Sequence, residues 1–235
     1  ASFRTQEIAK ASVRVLHRGG LELNVLGPDE YCCTSPTLRV GITDNTYDAA
    51  KHMIERIERL GAKRMVTACA GCFQTVSNDF VDYYSNPTFD VLHFSECVQQ
   101  LIKKRKLKFT GEIDAKVTYH DPCHLGRHSG VYDPPREVLN KIPGVEFIEM
   151  KNIRESSRCC GAGGGYKSSF GEYAVNVAAN RVEEALSVGA EIIATTCPFC
   201  VLNLKQGADQ IGADIEVYDL AEMVEMTTRP EEDEK

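Results

Sequence analysis

Two adjacent thiols, Cys159 and Cys160, stand between Cys123, with 35 residues intervening, and the pair Cys197-Pro198-Phe199-Cys200, with 36 intervening. Neighbouring side chains leave the backbone in different directions and serve a single tetrahedral ion poorly. A polynuclear cluster spreads its metals and can use both. Cys123, Cys159, Cys160, Cys197 and Cys200 are therefore expected to hold an iron-sulfur cluster, the alternative being zinc on four of them. The run Gly161-Ala162-Gly163-Gly164-Gly165 suits the same site. Backbone without side chains at Gly161, Gly163, Gly164 and Gly165 can approach bridging sulfides and donate N–H bonds to them. As a nucleotide loop the run fails, because Tyr166 stands where the last glycine of either phosphate-binding motif would be.

Other polar residues flank these thiols. His120, His124 and His128 bracket Cys123, and each is read either as a proton donor to a thiolate leaving group or as a hydrogen-bonding support of the site. Arg127 and Lys167 are candidate anchors for an anionic substrate, with plain surface charge as the alternative. Cys97 stands outside the pattern and reads as a buried, inert thiol on a helix.

The elements that must position these residues occur twice. Leu60-Gly61-Ala62 leads through Arg64-Met65-Val66-Thr67-Ala68 to Cys69-Ala70-Gly71-Cys72, as Val188-Gly189-Ala190 leads through Ile192-Ile193-Ala194-Thr195-Thr196 to Cys197-Pro198-Phe199-Cys200. Each glycine lies eight positions before the first cysteine, and the pair Cys32-Cys33 precedes Cys69 by 35 intervening residues. Val91-Leu92-His93-Phe94-Ser95-Glu96 then corresponds to Val217-Tyr218-Asp219-Leu220-Ala221-Glu222. This is an internal duplication. The first copy, Cys32, Cys33, Cys69 and Cys72, has Thr34 in place of glycine, and a fifth cysteine at the same spacing would precede Ala1. A second cluster, a zinc ion or no metal are the alternatives for this half.

Hydrophobic periodicity predicts helices over 5–19, 45–60, 73–84, 95–105, 133–141, 170–188, 199–209 and 219–226. Short β-rich runs alternate with them near 22–26, 64–68, 89–93, 116–120, 145–149, 191–195 and 215–218. Such alternation implies an α/β fold: two duplicated, small Rossmann-like α/β/α domains with parallel sheets, related by a pseudo-twofold, with the cluster sites at their interface. The expected division is 1–110, 111–228 and a flexible acidic tail over 229–235. The cysteines then fall at the carboxyl ends of strands, where a helix N-terminus favours thiolate.

Composition narrows the functions. A net charge of -7 over 235 residues argues against nucleic acid as a partner. The one basic run, Lys103-Lys104-Arg105-Lys106, reads as the solvated end of a helix. No stretch approaches the roughly 20 apolar residues of a membrane span, so direct insertion is not expected. The expected location is cytoplasmic, with any membrane association made through a partner. In a reducing compartment, Cys-x-x-Cys pairs read as metal or redox motifs.

The repeated pattern, with Tyr119-His120-Asp121-Pro122-Cys123-His124-Leu125-Gly126 and Arg158-Cys159-Cys160-Gly161-Ala162-Gly163-Gly164-Gly165, resembles the cysteine-rich CCG domain of heterodisulfide reductases, in their B- and D-type chains, across essentially the whole sequence. Ala1-Ser2-Phe3-Arg4 is similar to the segment that follows the first-half cysteine in that family. The resemblance implies a non-cubane 4Fe-4S cluster on each five-cysteine set and cleavage of a disulfide between the two. By that resemblance the second cluster falls to Cys123, Cys159, Cys160, Cys197 and Cys200, and the first to Cys32, Cys33, Cys69 and Cys72 with one ligand missing. The implied activity is an oxidoreductase reducing a small anionic disulfide, active within a complex. The chain has no ferredoxin-type cysteine run, so its electrons would come from an iron-sulfur, flavin or haem subunit. An electron-relay subunit of a glycolate or lactate oxidase-like or sulfite-reductase-associated complex is the alternative, and a zinc-stabilised structural module a weaker one.

Overall fold

The computed structural model describes residues 5–84 and 87–228. The opening segment 1–4 and the acidic tail 229–235 lie outside the described residues. In chain order the regular elements are α1 (Gln6–Arg18), α2 (Ser35–Arg39), α3 (Thr46–Arg59), β1 (Arg64–Thr67), α4 (Ala70–Gln74), β2 (Asp90–His93) and α5 (Phe94–Lys103). They continue as β3 (Ala115–Tyr119), α6 (Asp133–Leu139), β4 (Val145–Phe147), α7 (Tyr166–Ser169), α8 (Gly171–Ser187), β5 (Ile192–Thr195), α9 (Pro198–Ile211), β6 (Glu216–Asp219) and α10 (Leu220–Thr227).

The strands form two parallel sheets, β1-β2 and β4-β3-β5-β6. Their registers repeat the duplication: Thr67 pairs with His93 as Thr195 pairs with Asp219. Both His93 and Asp219 then cap a helix in the same way. Each side chain accepts a backbone N–H two residues on, while Glu96 or Glu222 bonds back to the N-cap amide. The fold is thus a duplicated α/β arrangement, as the alternation predicts.

Two predicted elements differ. Residues 22–26 form no strand: the first sheet lacks, among the described residues, the central strand that β3 supplies beside β4 in the second. The predicted helix 73–84 breaks into α4, a π-helical turn at Thr75–Asp79 and a 3-10 turn at Phe80–Asp82. Tertiary bonds reach into this stretch, since Asp79 pairs with Arg39 from α2 and Asn78 donates to the His128 carbonyl. Its counterpart α9 runs unbroken over 14 residues.

Apolar spacing explains the packing. Ala50, Met53, Ile54 and Ile57 make a buried stripe on α3, packed on Val76, Phe80 and Phe89. A larger core joins both sheets, from Ile8, Val15 and Phe94 to Ile193, Leu204 and Val224. Through it α1 lies against α10, where Arg14 and Arg18 reach Glu225. Cys97 is buried in that core on α5. No helix among the described residues is long and apolar enough to cross a membrane.

Candidate metal centre

Cys69 and Cys197 end the β1 and β5 crossings as N-caps of α4 and α9, so Cys72 and Cys200 follow on the first turns of those helices. The loop cysteines come to meet them. Cys33 Sγ lies 3.1 Å from Cys72 Sγ, and Cys160 Sγ lies 3.2 Å from Cys200 Sγ. The other sulfurs lie near enough to shift one another's acidity: Cys32 favours the thiolate of Cys33, Cys72 that of Cys69, and Cys200 that of Cys197. Cys160 and Cys123 both act on Cys159 in the same way. Cys69 and Cys197 shift each other's acidity across the two halves, Cys69 downward and Cys197 upward. All nine patterned cysteines thus fall in one run of mutually interacting sulfurs, and none is in a disulfide.

Their acidities are uneven. Hydrogen bonds from Cys123 and Cys160, helped by the Gly161 N–H at 3.3 Å, hold Cys159 down at about 2. Bonds from Cys32 and Cys72 lower Cys33, and bonds from Cys197 and Cys72 lower Cys69. At all three sulfurs neighbouring thiols favour the thiolate form. Cys160 is pushed up to about 12, first by its bond to Cys159.

The cysteine-pair loops share one backbone shape. Gly161 sits at φ 81°, and a Cβ there would meet the Ala174 carbonyl oxygen at 2.5 Å. Thr34, at the equivalent place, holds φ 58° with a β-branched side chain. Gly165, at φ 76°, packs under Val40 and so closes the glycine loop onto the first half. Gly163 and Gly164 leave open space around their Cα positions.

Buried polar groups fix the loop that carries Cys123. His120 is 1% exposed, and its Nδ1 accepts from Arg181 Nε at 3.2 Å. Burial, then the Arg181 charge, hold its imidazole down at about 3, so it is neutral. Asp121 takes a bidentate pair of bonds from Arg136 at 2.7 and 2.8 Å and a third from the Arg154 amide. Asn203 on α9 donates to the carbonyls of Cys160 and Ala174, tying the cysteine pair to α8 and α9.

Of the other sequence candidates, His124 stands between the halves: its Nδ1 lies 3.4 Å from where a Cβ at Gly71 would be, and Cys69 Sγ lies 3.8 Å from the same point. Burial, then the charge of Arg39, lower its pKa. His128 stacks obliquely on it, ring centroids 5.5 Å apart. Arg127 donates to the Glu155 and Ser157 carbonyls and so clamps the loop before Cys159. Lys167 reaches the side-chain oxygens of Asn203 and Gln206. Arg127 and Lys167 thus bond neutral groups, and these contacts leave their charges uncompensated.

Sequence reasoning missed Arg181, Arg136 and Asn203. A signal for Arg181 was present: it lies eight residues before Gly189, where Met53 lies eight before Gly61.

The donor set fits a soft metal. A ring nitrogen of His120 and the sulfurs of Cys160 and Cys200 lie within 4.8 Å of one another. His120 Nε2 is buried without a hydrogen-bond partner among the described residues.

Comparison with known proteins agrees with this chemistry. The profile of a family described as a cysteine-rich domain, CCG, matches residues 1–77 and 117–205. The chain is 45% identical over 228 residues to the D chain of dihydromethanophenazine:CoB–CoM heterodisulfide reductase from Methanosarcina acetivorans, covering 95% of this chain and 56% of that protein. It is 36% identical to the B chain of fumarate reductase (CoM/CoB) from Methanothermobacter marburgensis, covering 95% of this chain and 44% of that one. It is 32% identical to EtfAB:quinone oxidoreductase of Syntrophomonas wolfei, covering 94% of this chain and 32% of that one. The chain spans about half the length of the heterodisulfide reductase relatives it matches.

Proposed function

The chain belongs to the CCG cysteine-rich domain family, and on that premise we propose that it is the iron-sulfur part of an oxidoreductase that reduces a low-molecular-weight disulfide. One observation carries the reading: Cys33 meets Cys72 and Cys160 meets Cys200 in two separate thiol sets, and Cys69 and Cys197 lie near enough to shift each other's acidity, so the sets stand side by side. A disulfide has two sulfurs to receive, and two adjacent sites receive one each.

In this reading Cys123, Cys159, Cys160, Cys197 and Cys200 hold one non-cubane 4Fe-4S cluster. Cys32, Cys33, Cys69 and Cys72 hold the metal of the first half, a second cluster in this proposal, with zinc as the competitor that metal analysis separates from it. Bound iron-sulfur supplies single electrons, and reduction of RS–SR′ consumes two electrons and two protons to give RSH and R′SH. The electrons come from an iron-sulfur, flavin or haem partner subunit.

The chain's own groups do the rest. His124, half-buried between the sets and beside Cys69, offers a ring N–H as a hydrogen bond to a departing thiolate, whose proton comes from solvent. Lys167 and Arg127, bonded only to neutral groups at these contacts, attract an anionic substrate. Asn203 and the Gly161 amide hold the Cys159-Cys160 loop in place.

Iron, zinc and acid-labile sulfide analysis of anaerobically purified protein tests the metal. EPR during titration with small thiols and disulfides tests the reaction. Thiol-dependent signals are the expected result. Zinc without iron would sink the proposal, and iron-sulfur signals blind to thiols would favour the electron-relay alternative.

A further inference from the structure

We propose that His120 gives its Nε2–H as a hydrogen bond to sulfur of the second-half metal centre, and that Arg181 is the positioning residue that fixes this tautomer. The inference rests on the iron-sulfur reading above and adds two residues that hold no metal.

Burying Arg181 is costly. The side chain is 0% exposed on α8, and a guanidinium cannot shed its proton to ease burial. The duplication supplies an internal control: the matching position of α3 is Met53, 3% exposed in an apolar cluster. The helix position therefore packs well with an apolar side chain, and packing alone gives no reason for an arginine. What Arg181 has that methionine lacks is a set of donors. Nη1 goes to the Asn152 carbonyl at 3.0 Å and to Glu184 at 2.8 Å, Nη2 to Ser157 Oγ at 3.3 Å, and Nε to His120 Nδ1. Glu184 balances the charge while itself accepting from the Asn152 amide and side chain.

The consequence for His120 is a matter of valence. Arginine has no acceptor, so Nδ1 must be the lone-pair nitrogen and the ring proton must sit on Nε2. That N–H has no partner among the described residues, on a ring 1% exposed. A buried donor is destabilising unless something accepts from it. The Cys160 and Cys200 sulfurs share a 4.8 Å group with the ring. A protonated Nε2 offers no lone pair to iron, so His120 acts as a donor there. Donation to sulfur favours the more negative, reduced state of a centre and raises its reduction potential.

Two measurements test this. In metal-free protein labelled with 15N-histidine, NMR should show His120 protonated at Nε2 only, and Arg181→Met, which copies the first half, should lose that fixed tautomer. A proton on Nδ1 in the unaltered protein would overturn the proposal, with no metal needed to see it. In iron-loaded protein, His120→Asn should keep its iron and EPR line shape while the midpoint potential falls, by roughly a tenfold change in the reduced-to-oxidised ratio, or about 59 mV for one electron. Should Arg181→Met not fold, Arg181→Lys serves as the second variant, keeping charge but losing the planar set of donors. Loss of iron in His120→Asn would make His120 a ligand, and an unchanged potential would mean that the N–H does not reach sulfur; either result rejects the proposal. Wild-type protein that binds no iron rejects the iron-sulfur reading itself, which separates the two failures.

Discussion

Thr34 and Gly161 hold the same left-handed backbone, at φ 58° and 81°, each immediately after its cysteine pair. Only the glycine does so without strain. A β-branched residue in that region carries about 1–2 kcal/mol, and the only side-chain bond of Thr34 among the described residues is a long one to Thr46 Oγ1 at 3.5 Å. Thr34→Gly should therefore stabilise the protein by about 1 kcal/mol, raising Tm by roughly 2–4 °C. Gly161→Ala should act in the opposite sense and lose about 2 kcal/mol or more, because its Cβ meets the Ala174 carbonyl. Thermal melts of the two variants should move in opposite directions, and equal shifts would refute the equivalence.

Cys159 is exposed and is a thiolate far below neutrality, held there by its bonds from Cys123 and Cys160. In metal-free protein at pH 6, an iodoacetamide pulse should label Cys159 before the other cysteines, since ordinary thiols near pKa 8.5 are protonated there. Mass spectrometry reads the order. Prior labelling of Cys32, which is also exposed but is raised by its bond to Cys33, would contradict the charge pattern.

Stability should fall in mild acid. Burial holds His93 at about 4, against about 6.5 for an unfolded histidine. Between those values the unfolded chain binds a proton that the folded chain does not, so the contribution of neutral His93 is complete above pH 6.5 and is lost as pH falls toward 4. The loss is up to about 1.4 kcal/mol per pH unit for each such group, and His120 adds its own. His93→Asn keeps an N-cap acceptor and should reduce, without abolishing, the drop in urea midpoint of metal-free protein between pH 7 and pH 5.5. An unaltered drop would place the proton uptake elsewhere.

Cys160→Ser and Cys97→Ser should part company. Cys160 lies in the run of thiols and Cys97 in the apolar core. The first variant should lose the second-half iron and the second should keep it, by iron assay on protein reconstituted under argon. Equal loss would mean that Cys97 is a ligand.

Much of this arrangement was legible because duplication made the chain its own reference. The turn glycines Gly61 and Gly189 fix both crossings, and the register Thr67–His93 against Thr195–Asp219 repeats what spacing implied. What stayed hidden were relations between distant segments. The π-helical turn at Thr75–Asp79 depends on Arg39 and His128, and residues 22–26 have strand composition but pair with no strand among the described residues. Arg127 looked like a free cation because its acceptors are backbone carbonyls, which every residue carries. The bond from Arg181 to His120 joins residues 61 apart in sequence, beyond any local pattern.

The pairing of α1 with α10 sets a timetable for the molecule. Arg14 and Glu225 are separated by 211 residues, so at about 5–20 residues per second a ribosome needs roughly 10–40 s to make the second after the first. For that interval α1 has no α10 to cover it, and during the part of it between residues 72 and 197 the chain holds Cys32, Cys33, Cys69 and Cys72 without Cys197. The nascent first half, with its thiols made and its helix uncovered, is therefore the stage most open to oxidation and clumping.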